Sequence, residues 1–201
     1  MRHAFASFIT FIAIRCRIWV IWSKLYRFLY ERKYRNYNMP FFSTFGELEA
    51  TLAQMKWRKD GPMELMDAAS LPQATYGRFK DGKAAGDCED ISLFAATSIY
   101  FMKASLLVAA GSMINDVYLL TVIWEGSGSK IVEGHSVCVF SYKAEDGIKW
   151  AWVSNWYGGK IQWERRNIGE IVARMMDEKK LVRWALSTCN LKLVDSGTRL
   201  P

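Results

Sequence analysis

The sequence predicts an α+β domain in which one long buried helix precedes an antiparallel sheet, and three observations carry that expectation. Residues 88–110 are an apolar run of helical length whose only charges are Glu89, Asp90 and Lys103. From Val117 onward the periodicity changes to short runs rich in β-branched and aromatic residues, separated by Gly-containing turns. Ahead of both lies a basic, aromatic stretch with a charge balance of its own.

The 201 residues suffice for one domain with its own core and are few for two. A hydrophobic content of 51% with only 4 prolines argues against a disordered or collagen-like chain. The organisation expected is a basic aromatic helix over residues 1–38 and a globular domain over 39–201. Of the formal charge of +7, all is accounted for by residues 1–35, where Arg2, Arg15, Arg17, Lys24, Arg27, Arg32, Lys33 and Arg35 face Glu31 alone. The rest of the chain is electrically balanced.

From Phe5 to Tyr30 no proline or glycine interrupts a helix, and Thr10, Arg17, Lys24 and Glu31 fall in one polar stripe at helical spacing. The uncharged run before Arg15 is too short to span a bilayer. An interfacial helix on an anionic membrane and a helix buried on its own domain or on a partner subunit compete for this segment. It is too apolar to be the solvated basic arm of a nucleic-acid binder. No small-residue cleavage site follows it, as a signal peptide would need.

Tyr37-Asn38-Met39-Pro40 reads as a linker. Thr44 then caps a helix running to about Trp57, with Glu47 as the reciprocal partner. Residues 59–83 read as loop with short helical pieces. The long helix runs from Cys88 to Ala110 and ends at Gly111. Strands follow at Val117–Trp124, Gly134–Tyr142, Ile148–Trp156 and Lys160–Trp163, then a helix from about Asn167 to Lys180 and a closing strand from Leu181 to Cys189.

Chemistry concentrates around Cys88. It stands in Gly86-Asp87-Cys88-Glu89-Asp90, at the first turn of the buried helix, where the helix dipole favours thiolate. The flanking carboxylates oppose that effect, so a base is required. Only two histidines exist, and His3 lies in the extension; His135, after Gly134 at the start of a strand, is the candidate. Asn155, near the end of the next strand, can accept the imidazole N–H and fix its tautomer. Cysteines 16, 88, 138 and 189 show no metal-site or disulfide spacing, and Cys138 falls on the opposite strand face from His135. No metal or cofactor is expected. A reducing compartment fits the thiols, which with the basic helix suggests the cytoplasm or the cytoplasmic side of a membrane.

These motifs resemble those of the transglutaminase-like superfamily, including the bacterial transglutaminase-like cysteine proteinases, within the wider papain-like fold. The resemblance covers about residues 45–165. Gly86-Asp87-Cys88-Glu89-Asp90 followed by Ile91-Ser92-Leu93 is similar to the start of the family's nucleophile helix, Gly134-His135-Ser136-Val137 to its histidine strand, and Trp152-Val153-Ser154-Asn155-Trp156 to the strand bearing the third member. Trp57, Asp67 and Leu71-Pro72 match the approach to the cysteine more loosely. Many members carry aspartate where Asn155 stands, and Gly82 occupies the place of the papain oxyanion glutamine.

The resemblance implies a Cys88-His135-Asn155 triad acting on acyl or amide bonds of a protein or peptide, with hydrolysis needing less apparatus than transamidation. The Cys88 backbone N–H is one expected oxyanion donor, and Gln73, Tyr76 or Trp57 the second. Asp90 reads as a structural anchor that needs a partner. The competing reading is an inactive binding or structural protein tethered by its N-terminal helix.

Overall fold

A computed structural model describes residues 34, 36–58, 70–106, 114–126, 132–177 and 179–201. The helix expected at 5–30, the end of the long helix near Gly111 and the turn at 127–129 lie outside the described residues.

Helix α1, Phe45–Gln54, begins where the Thr44 hydroxyl accepts the Glu47 backbone N–H. The Glu47 carboxylate returns to the backbone N–H of Ser43 rather than of Thr44, a capping box offset by one residue. Helix α2, Pro72–Lys80, is a continuous element within the stretch expected to be mostly loop. Its proline stands at the first helical position, where its missing N–H costs nothing. Helix α3, Cys88–Leu106, is the long helix, and it starts at Cys88 as expected.

Six strands form one antiparallel sheet in the order β4-β3-β2-β1-β5-β6, which makes the fold α+β. They are β1 Ile114–Glu125, β2 Val132–Ala144, β3 Gly147–Val153, β4 Ile161–Arg165, β5 Leu181–Ser187 and β6 Leu193–Gly197. Helix α4, Ile168–Met176, crosses from β4 to β5, which then pairs with β1. Two expectations need correction. The third strand ends at Val153, and Asn155 lies in a short 3-10 helix, Asn155–Tyr157, because the Ser154 side chain captures the backbone N–H of Trp156 and turns the chain out of the sheet. The closing strand is followed by β6, which was not expected; its Leu193 and Val194 are exposed.

Strand alternation divides the core into two clusters. On one face Cys138, Phe140, Ala151 and Val153 pack with Ile91, Phe94, Ala95 and Ile99 of α3 and with Leu48 and Leu52 of α1. On the other, Val137, Val139, Leu120, Val122 and Trp152 pack with Ile171, Val172 and Met175 of α4. Among the described residues no helix is long and apolar enough to cross a membrane.

The junction with the N-terminal segment is tighter than a linker. Tyr34 is buried, and the Tyr34 and Tyr37 hydroxyls donate to the Asp81 carboxylate. Gly77 allows this approach: a Cβ there would lie 2.7 Å from the Tyr34 ring.

Candidate active site

Asp87 caps α3, its carboxylate accepting the backbone N–H of Glu89 at 2.9 Å and of Asp90 at 3.2 Å. Burial nevertheless pushes the Asp87 carboxyl above its ordinary range, against those bonds and the Arg78 charge. Asp90 points inward and is 1% exposed. Its carboxylate meets the Arg78 guanidinium at 3.0 Å and accepts the Ser70 backbone N–H. Arg78 also donates to the Ala85 carbonyl at 2.7 Å and to the Ser70 hydroxyl at 3.2 Å. The partner that Asp90 needs as an anchor is therefore Arg78. Gly86 has φ +148°, and a Cβ there would overlap the Asp90 carboxylate, so both conformation and space call for glycine. Cys88 itself is partly exposed.

His135 stands on β2 opposite Val122 of β1. The β3 ladder stops at Val153, paired with Cys138, so the part of β2 that carries His135 extends beyond the end of β3. The first turns of α3 come in at this rim. Ser92, one helical turn after Cys88 on the same side of α3, donates its hydroxyl to the Ser136 carbonyl at 2.8 Å. The start of α3 and the His135 segment of β2 thus meet at one end of the sheet, with α3 packed on the Cys138 face of β2.

Within that end, alternation starts His135 on the face of Val137 and Val139 and puts Cys138 on the α3 face, the opposition read from the sequence. The imidazole is 4% exposed and lies flat on the Trp156 indole, with ring centroids 3.7 Å apart and planes 4° apart. Its one hydrogen bond among the described residues joins Nε2 to the Ser154 Oγ at 2.8 Å. No hydrogen bond links it to Cys88. Burial lowers the His135 pKa to about 3, so the ring is neutral at neutral pH.

Asn155 is adjacent but not in the expected contact. It does not bond the imidazole; its Oδ1 accepts the Ser154 hydroxyl at a long 3.5 Å. Sequence reasoning missed Ser154 because it treated residues 148–156 as one strand. A serine followed two residues later by an N–H that it can cap is the local signal of a turn there. The turn closes through Gly158 and Gly159, both with positive φ, and Gly159 lies so close to α1 that a Cβ would come within 2.9 Å of the Ala53 nitrogen. Glu49 of α1 completes the seat by accepting the Ile161 backbone N–H at 2.7 Å.

The three further candidates fare differently. Trp57 forms a parallel bridge with Gly86, two residues before Cys88, and its indole is 48% exposed. The flanking bonds run from Arg58 N–H to the Gly86 carbonyl and from Ala85 N–H to the Lys56 carbonyl. Tyr76 stacks on Phe94 of α3 at 5.8 Å and is committed to packing. Gln73, on the first turn of α2, has its side-chain oxygen buried and without a hydrogen-bond partner among the described residues. Gly134 pairs with Ile123, and a Cβ there would lie 3.2 Å from the Val122 carbonyl oxygen.

Among the described residues no group of His, Cys, Asp and Glu side chains is arranged to hold a metal ion. No family model, curated protein or solved structure matches the chain.

Proposed function

We propose that the protein is a thiol enzyme of transglutaminase-like, papain-related type that acts on an acyl or amide bond of a protein or peptide. The observation that carries this reading is the capped, Gly86-dependent start of α3 meeting the His135 segment of β2 through the Ser92–Ser136 bond. A thiol on a helix N-terminus and an imidazole on an adjoining strand are the two parts such chemistry needs.

In the proposed reaction the Cys88 Sγ attacks the carbonyl carbon while its proton passes to the imidazole. The developing imidazolium and thiolate neutralise one another, which offsets the cost of charging a buried ring. Collapse of the tetrahedral intermediate expels the amine, which takes the proton from His135, and leaves a thioester on Cys88. Water then releases the acid, or a second amine completes a transamidation. Trp57, beside Gly86, is the candidate for contact with substrate. Incubation with an activated peptide ester tests this reading. A mass increase on Cys88 equal to the acyl group, absent in Cys88→Ala, supports it, and equal ester turnover by both proteins overturns it.

A second reading is favoured by the depth of His135, whose Nε2 is taken up by Ser154. There the same scaffold serves as a binding or structural protein, joined through residues 1–35 to a membrane surface or partner subunit on the cytoplasmic side. Co-sedimentation with anionic vesicles, full chain against a chain beginning at Met39, tests the tether; equal binding by both removes it.

A further inference from the structure

We infer that Ser154, held in its donor direction by Asn155, is the residue that sets the tautomer of His135, so that a two-residue relay positions the imidazole. The inference rests on the reading of Cys88 and His135 as nucleophile and base, and it concerns which atoms make that arrangement competent.

A serine hydroxyl has one proton and two lone pairs. Among the described residues three groups meet the Ser154 Oγ: the Trp156 backbone N–H at 3.1 Å, the His135 Nε2 at 2.8 Å and the Asn155 Oδ1 at 3.5 Å. The backbone N–H can only donate, and it occupies one lone pair. The Asn155 oxygen can only accept, and it takes the hydroxyl proton. What Ser154 then offers the imidazole is its second lone pair, so Nε2 carries the hydrogen. Nδ1 is left with its lone pair, which is the state a base must be in to take a thiol proton. In the opposite arrangement Ser154 donates to Nε2, the hydrogen moves to Nδ1, and that nitrogen can accept nothing.

Burial sharpens the choice. His135 is 4% exposed and Ser154 2%, so water does not compete for these atoms. The bond from Trp156 alone would make Ser154 a turn cap, a role that leaves the tautomer of His135 open. Asn155, through its longer contact, is the weaker lever of the two. Both are positioning residues acting through His135.

The test is the nitrogen-15 spectrum of the full-length chain at neutral pH, in which nitrogen–carbon-bound proton correlations distinguish the two tautomers. The chain has only two histidines, and His3→Gln assigns the His135 signals. The expected wild-type result is hydrogen on Nε2. Ser154→Ala is expected to populate the Nδ1–H form and to slow Cys88 alkylation by about tenfold or more. Ser154→Asn, whose side-chain oxygen can accept the same N–H, is expected to restore both. Asn155→Ala is expected to raise the Nδ1–H fraction, and it decides the matter should Ser154→Ala not fold. Hydrogen on Nδ1 in the wild type overturns the inference, as does an Asn155→Ala spectrum identical to wild type. The tautomer is read without turnover: an unreactive Cys88 beside a tautomer that responds to Ser154 would remove the enzyme reading and leave the relay standing.

Discussion

The Arg78 guanidinium and the Asp90 carboxylate lie 3.0 Å apart with their side chains 4% and 1% exposed, and this pair fixes α2 against the first turn of α3. Removing one partner leaves a buried charge without its counter-charge. Arg78→Ala is therefore expected to destabilise the fold by about 3–5 kcal/mol, measured by urea unfolding. Replacing both together, as Arg78→Met with Asp90→Leu, is expected to cost less than the single change. A single variant as stable as wild type would contradict this account of the pair.

Gly86→Ala meets two obstacles at once, a positive φ and the Asp90 carboxylate in the space of the new methyl. The expected loss of stability is about 1–3 kcal/mol from the backbone alone, with more if Asp90 is displaced. Gly82→Ala is the control: its φ is +70° but a Cβ there meets nothing. The prediction is checked by comparing the two midpoints, and equal midpoints would show that the contact with Asp90 contributes nothing.

His135 makes stability depend on pH. Its folded pKa of about 3 lies below the ordinary 6.5, so the unfolded chain takes up the proton first as pH falls. The fold therefore loses stability from about pH 6.5 down toward 3, by roughly 3 kcal/mol at pH 4.5. The measurement is the difference in unfolding free energy between pH 7 and pH 4.5, in wild type and in His135→Gln. Wild type is expected to lose more than the variant; the same loss in both would mean the imidazole is solvated.

Much of this arrangement was legible in the sequence for physical reasons that can be named. The start of α3 at Cys88 follows from a carboxylate able to cap it at Asp87 and an apolar run behind it. The strands through His135 were legible because both faces of β2 are buried in one cluster or the other. Strand β6 was not, because Leu193 and Val194 lie exposed and show no alternation to read. The displacement from Asn155 to Ser154 has a similar origin. The strand ends at Val153, three residues before the expected Trp156, and the turn fixed by the captured Trp156 N–H puts Ser154 rather than its neighbour against the imidazole. Helix α2 was obscured because its inward residues, Ala74, Thr75, Gly77 and Arg78, are small or polar rather than an apolar stripe.

The central claim is that Cys88 and His135 work as a pair, and the most direct measurement is the rate of iodoacetamide labelling at neutral pH, followed by peptide mass spectrometry across all four cysteines. Cys138 and Cys189, whose thiols burial pushes to higher pKa, serve as internal references. Cys88 is expected to label fastest, and His135→Ala to slow it by about a hundredfold, the low end of what a positioned base contributes. Labelling of Cys88 at the rate of an ordinary exposed thiol, unchanged in His135→Ala, would contradict that claim.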